Sequence, residues 1–140
     1  MTRVHGTAVA LRGRGVLILG SSGAGKSGLA LQLMAYGADL VSDDAADVRF
    51  SEGQLTLHRP EGHLGLVEAR GVGLVSVKSI DQSGLEFVVD LDKTVSKRLP
   101  EPQTESILGV EVPLVCGKNV PNLAAVIWCF LKGGRLLPIE

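Results

Sequence analysis

The spacing of apolar and polar positions changes several times along this chain. Val4 to Leu11 alternates and then breaks at Arg12–Gly13–Arg14–Gly15, which reads as a hairpin turn. Val16 to Leu19 is an unbroken apolar run and predicts a short buried strand. Gly20 to Gly25 predicts a loop. From Lys26 to Tyr36 the apolar residues fall at 29, 30, 33 and 34, which is helical spacing, and Gly37 stands where a helix would be capped.

Beyond that helix the period shortens. Leu40–Val41 predicts a brief strand ending in Ser42–Asp43–Asp44. Val48 to Phe50 and Leu55 to Leu57 flank Ser51–Glu52–Gly53–Gln54, a hairpin signal. Leu64 to Glu68 and Val72 to Val77 bracket Arg70–Gly71. Leu85 to Leu91 is the most strand-like segment, Pro100 to Glu105 reads as loop, and Val110 to Val115 as another strand. Asn122 to Leu131 returns to helical spacing and stops at Gly133–Gly134. Strands therefore outnumber helices between residues 40 and 115. The expectation is a single α/β domain over residues 1–140, with a mixed, strand-rich, largely antiparallel sheet and few helices. An ordinary phosphate-loop NTPase would instead alternate strand and helix around a parallel sheet.

Composition narrows the function classes. A length of 140 residues suits one domain with its own core. A net charge of −1 gives no broad electrostatic grip on nucleic acid or membrane, and aromatic residues at 4% give no stacking platform for bases. Cys116 and Cys129 have neither CxxC spacing nor neighbouring histidines, so a structural zinc site is not expected. No apolar run approaches a membrane span and no secretory leader is evident, which makes the cytoplasm the expected compartment.

The chemistry begins at Gly20-Ser21-Ser22-Gly23-Ala24-Gly25-Lys26-Ser27, which matches G-x-x-x-x-G-K-[ST] between a strand and a helix. The glycines let backbone N–H groups turn inward around phosphate oxygens, and the helix start adds its dipole and its unpaired donors. Lys26 is placed to reach the outer phosphates, and the Ser27 hydroxyl to ligate Mg²⁺. Such a loop needs an acidic partner for the metal, and two pairs compete. Asp90 and Asp92 end the apolar run Phe87–Val89, as in a conventional Walker B strand. Asp43 and Asp44 end the shorter run Leu40–Val41, and a kinase needs one carboxylate for metal and another for a hydroxyl proton. Glu68-Ala69-Arg70-Gly71-Val72-Gly73 is a second glycine-punctuated segment, equally readable as a β-turn with a solvated Glu–Arg pair.

The order of these segments resembles the catalytic domain of bacterial HPr kinase/phosphorylase, in a short form without that family's usual N-terminal domain. The matching segments are Val4-His5-Gly6, Gly20 to Ser27, Leu40-Val41-Ser42-Asp43-Asp44, Val67 to Gly73, and Val112 to Asn119. Ser96-Lys97-Arg98-Leu99 is similar to the family's Asp-Arg-Leu segment. The resemblance implies a nucleotide fold similar to that of phosphoenolpyruvate carboxykinase. It implies an ATP- and Mg²⁺-dependent protein-serine kinase that phosphorylates the phosphocarrier HPr, or a paralogue. It also implies removal of that phosphate by inorganic phosphate with release of pyrophosphate, and a homo-hexamer.

The same resemblance chooses Asp43 and Asp44 as the working acidic pair. It assigns Asp43 as general base, His5 as its contact, and Arg98 as the cation that neutralises the transferring phosphoryl group. Asp44, Ser27 and Glu68 become the metal shell. Two departures stand out: Cys116-Gly117-Lys118-Asn119 replaces Pro-Gly-Arg-Asn, and Gly28 replaces a bulkier or acidic residue. Lysine at 118 keeps charge but loses the bidentate fork. His58 and His63 have no counterpart and read as surface residues. Rival readings are a related kinase for another hydroxyl substrate, and a nucleotide-binding module without catalysis.

Overall fold

The computed structural model describes residues 1–137; Pro138, Ile139 and Glu140, the end of the expected 1–140 unit, lie outside the described residues. The strands are β1 (Thr2–Val4), β2 (Thr7–Leu11), β3 (Arg14–Leu19), β4 (Asp39–Ser42), β5 (Ala46–Ser51), β6 (Gln54–His58), β7 (Leu66–Ala69), β8 (Gly73–Ser76), β9 (Gln82–Asp90), β10 (Gln103–Ile107) and β11 (Val110–Cys116). The helices are α1 (Lys26–Tyr36) and α2 (Leu123–Leu131). Both helices fall where the 3.6-residue spacing places them. Among the described residues, no helix is long and apolar enough to cross a membrane.

A nine-stranded sheet runs β1-β5-β6-β9-β3-β2-β4, with β11 joined to β9 and β10 to β11. β3 pairs parallel with β9, and β9 parallel with β11; the other pairings of this sheet are antiparallel. The expected mixed, strand-rich sheet is therefore present, with a parallel centre. The edge of β9 away from β3 is shared. Gln82, Ser83 and Gly84 take β6, while Val88, Val89 and Asp90 take β11, so the sheet forks there. Gly15 makes the β3–β9 approach possible, because a Cβ at that position would collide with the Gly84 carbonyl oxygen. The β2–β3 turn is Arg12–Gly13, both at positive φ, the geometry that matches the twist of a two-residue hairpin.

One expectation is corrected. The stretch read as loop from Pro100 to Glu105 enters β10 at Gln103. Gln-Thr-Glu-Ser-Ile has no apolar alternation, and it becomes a strand because β11 offers an open ladder edge across the Leu108–Gly109 turn.

The central strands bury both faces, which is why they read as continuous apolar runs rather than alternating ones. Val16, Ile18, Phe87 and Val89 pack with Leu29 and Leu33 of α1 and Ile127 and Leu131 of α2. Leu17 and Val88 point the other way, into a second cluster with Val48, Leu57, Ile107 and Leu114. Leu17, Ile18, Leu33, Leu57 and Ile127 are fully buried, each contributing roughly 1.5–3 kcal/mol. β7 and β8 form a separate two-stranded sheet. It is anchored by Val67, which is fully buried in the helix-side cluster, while Val72 and Leu74 face solvent.

β1 is held to β5 partly by charge. The Arg3 guanidinium donates to both Asp47 carboxylate oxygens at 2.8 and 3.1 Å. That contact holds the Asp47 carboxyl below its usual range; burial opposes the shift, and Arg3, Arg49 and His58 add favourable charge. A carboxyl lowered in the folded state contributes stability that is present above its unfolded value and lost as pH falls through the folded one. Acid titration of unfolding should therefore show a loss of stability below about pH 4 that Asp47→Asn abolishes. Parallel acid-unfolding curves of the two proteins would refute the linkage.

Candidate functional site

The glycine loop leaves the sheet at the end of β3. Gly25 takes φ 105° and ψ 20° at the start of α1, with no side-chain cap and no acidic residue in the first turn. The opening N–H groups of the helix are thus left for an anion, with no carboxylate competing for them. Lys26 is buried, and its ammonium donates back to the carbonyls of Gly20 at 2.8 Å and Ser21 at 3.1 Å. Ser21, Ser22 and Gly23 stand exposed at the loop tip and Ala24 is half-buried.

One side of the loop meets the acidic turn after β4. The Ser27 hydroxyl donates to Asp43, 3.0 and 3.2 Å from its two oxygens, and the Thr7 hydroxyl donates to Asp43 Oδ1 at 2.7 Å. Thr7 is fully buried on β2, so Asp43 is held by two hydroxyls from two different elements. The Asp44 carbonyl accepts the Gly6 N–H at 3.1 Å, and Asp44 adopts φ 67° in the turn between β4 and β5. Asp43, Asp44 and Glu68 of β7 line one cavity of about 280 Å³, together with His63 and Leu74. The β7–β8 hairpin thereby carries the Glu-x-Arg-Gly segment to the acidic pair.

The competing pair lies on the other side. Asp90 ends β9 in register with Leu19 of β3, the position of a conventional Walker B carboxylate. It is engaged locally, accepting the Asp92 N–H at 2.9 Å and lying 3.9 Å from Lys93. Asp92 reaches the loop itself, accepting the Ser21 N–H at 2.7 Å and the Ser21 hydroxyl at 3.0 Å. Ser27, the loop's hydroxyl ligand candidate, bonds to Asp43.

Two sequence candidates stand apart. His5 is exposed just before Gly6, and among the described residues no hydrogen bond joins it to Asp43. Arg98 is exposed in the segment between β9 and β10, likewise without a partner among the described residues. Sequence reasoning missed Thr7, Asp92 as a loop anchor, and His63 in the acidic cavity. A buried threonine in an apolar strand carried a weak signal; the other two contacts join residues far apart in the chain and carried none.

Fold and site together define a mixed-sheet α/β domain with a phosphate-loop sequence pattern between a central parallel strand and its helix. Residues 1–127 match the model of the HPr serine kinase C-terminal domain, and the chain belongs to that family. HPr kinase/phosphorylase of Clostridium botulinum (strain Eklund 17B / Type B) is 44% identical over 159 residues, covering 99% of this chain and 52% of that protein. The Brevibacillus brevis protein of the same name is 36% identical over 141 residues, covering 90% and 45%. The chain thus spans about half the length of the curated relatives it matches. The solved structure of the Hpr(Ser) kinase/phosphatase from Coxiella burnetii superposes with a TM-score of 0.80 at 26% identity, covering 94% of this chain and 89% of that one.

The Thr7–Asp43 bond gives a direct structural test. Thr7→Val keeps the shape of the side chain and removes a buried donor to a carboxylate. It should cost about 1–3 kcal/mol in urea unfolding, with Thr7→Ser recovering much of the loss. Equal stability of Thr7→Val and the parent would show that the bond contributes nothing.

Proposed function

We propose that this domain is an ATP-dependent protein-serine kinase that acts on HPr or a paralogue and reverses the reaction by phosphorolysis. The observation that carries the reading is the Ser27–Asp43 hydrogen bond, which joins the phosphate loop to the acidic pair. Family membership supports the choice of HPr as substrate. The reading carries with it the cytoplasm as compartment and a homo-hexameric assembly.

The site supports division of labour among its residues. The loop amides and Lys26 hold the donor phosphates, with the ammonium turning from the Gly20 and Ser21 carbonyls to the outer phosphate oxygens. Asp43, oriented by Thr7 and Ser27, accepts the proton of the substrate serine hydroxyl as that oxygen attacks. Ser27, Asp44 and Glu68 offer hard oxygen donors that suit Mg²⁺. Asp44 and Glu68 line one cavity with Asp43, and the Ser27 hydroxyl is bonded to that same Asp43. When bound, Mg²⁺–ATP supplies the phosphoryl group with much of its charge neutralised. Arg98, exposed in the segment between β9 and β10, is the cation the reading assigns to the transferring group. His5, exposed just before Gly6, is given its role beside Asp43 by the family resemblance alone. A phosphate ion held in the same loop is a positioned nucleophile for the reverse reaction, and Asp43 returns the proton to the leaving serine oxygen.

Incubation with ATP, Mg²⁺ and purified HPr, followed by intact-mass measurement, tests the reading. One phosphoryl group should be added by the parent protein and none by Lys26→Ala or Asp43→Asn, while Asp90→Asn retains most of the activity. A dead Asp90→Asn beside a live Asp43→Asn would return the assignment to the conventional Walker B strand. Absence of any product with the parent protein would favour a non-catalytic nucleotide-binding module.

The reverse reaction is tested separately. Dephosphorylation of phosphoserine-HPr should depend on added inorganic phosphate and yield pyrophosphate. Equal rates of serine phosphate release without added phosphate would show hydrolysis and remove phosphorolysis from the reading.

A further inference from the structure

A second cavity, of about 550 Å³, opens on α1 beside the loop. It lies between the first turns of α1 and the start of α2, and Ala24 and Gly25 of the loop form one end of it. Gly28, Gln32 and Tyr36 follow along α1 at intervals of four residues, one helical face running about 12 Å. Ser27, one residue earlier, points to Asp43. Successive helix residues are rotated by about 100°. The acidic cavity and this groove therefore lie on different sides of the same phosphate loop.

The lining fits an uncharged heterocycle and its sugar. No carboxylate, lysine or arginine contributes to it. Gln32 and Asn122 bring carboxamides, each offering donors and an acceptor together. Asn122 starts α2 without spending its side chain on a capping bond. Tyr36 brings an aromatic ring, braced by Trp128 at a centroid distance of 5.8 Å. The volume falls within the range of small-molecule sites. The groove also sits past the carboxyl ends of the parallel strands β3, β9 and β11, where open α/β sheets bind ligands. Gly28 leaves the groove open, and a Cβ added there would meet nothing within 4 Å.

We propose that this groove holds the base and ribose of the donor nucleotide. Gln32, Asn122 and Tyr36 are its contacts, and Gly28 is the residue that makes room for it. The assignment rests on the phosphate-loop reading above. The outer phosphates then lie toward Asp43, and the nucleoside leaves the loop past Gly28. The side chain absent at position 28 sets the width of the nucleoside site in this chain.

Filling the groove from opposite walls tests the assignment. Gly28→Phe and Ala125→Phe both place a ring in the groove from exposed helix positions, and phenylalanine at 28 is a better helix former than glycine. Calorimetric titration with Mg²⁺–ATP and with Mg²⁺–tripolyphosphate separates the nucleoside from the phosphates. Each variant should bind ATP about tenfold more weakly or worse, and tripolyphosphate within about twofold of the parent, with thermal unfolding no lower than the parent for Gly28→Phe. Unchanged ATP binding in both variants overturns the assignment, as does an equal loss of ATP and tripolyphosphate. A parent protein that binds neither ligand, like Lys26→Ala, fails the phosphate-loop reading itself and the groove with it.

Discussion

Parallel pairing of β3 with β9 sets the level at which the glycine loop leaves the sheet. The pairing runs from Arg14 and Gly84 to Leu19 and Asp90, and β11 joins β9 over its last three residues in the same direction. Three strand ends are then clipped together by backbone bonds: Leu91 N–H to the Leu19 carbonyl at 2.8 Å, and Gly117 N–H to the Asp90 carbonyl at 2.9 Å. A loop rooted in that rim is fixed at its entry. α1, packed through Leu29 and Leu33 on the apolar centre of the sheet, fixes its exit. Both anchors are necessary, because the loop has few side chains of its own with which to hold a shape.

From this frame the surroundings of the loop divide. Antiparallel β2 and β4 carry Thr7 and the Asp43–Asp44 turn to one side, where the β7–β8 hairpin adds Glu68. The segment after β9 supplies Asp92 to the loop tip. The β11–α2 connection closes a groove on the α1 side. Charge follows the same division. Carboxylates gather where a proton and a metal would be handled, and the groove has no charged lining residue at all. A phosphate chain threaded through the loop would pass from the neutral side to the acidic one.

The forked edge of β9 explains how so short a chain builds two covered faces. β6 and β11 take successive stretches of one strand edge, so their hairpins diverge and supply the second cluster around Leu17, Val88, Leu57 and Leu114. The helices cover the first face. A sheet covered on both sides gives the central strands their unbroken apolar runs, and it leaves the polar contacts of the site to the strand ends and the loops beyond them.

The local pattern of the sequence determined a good deal. Residues 29, 30, 33 and 34 fixed α1, because an amphipathic helix writes its period directly into the chain. Glycine turns fixed the β2–β3, β5–β6 and β7–β8 hairpins, because a tight turn needs residues tolerant of positive φ. The phosphate loop was legible for the same reason: its function depends on contiguous backbone. By composition alone, Asp43 and Asp90 stayed rivals. Only tertiary structure put Ser27 against Asp43, Asp92 against Ser21, and His63 into one cavity with Asp43 and Asp44, and only strand pairing made β10 out of a polar segment. These contacts join residues far apart in the chain. A hydrogen bond between two hydrophilic side chains leaves no periodicity behind, so it exists only once the sheet has chosen its register.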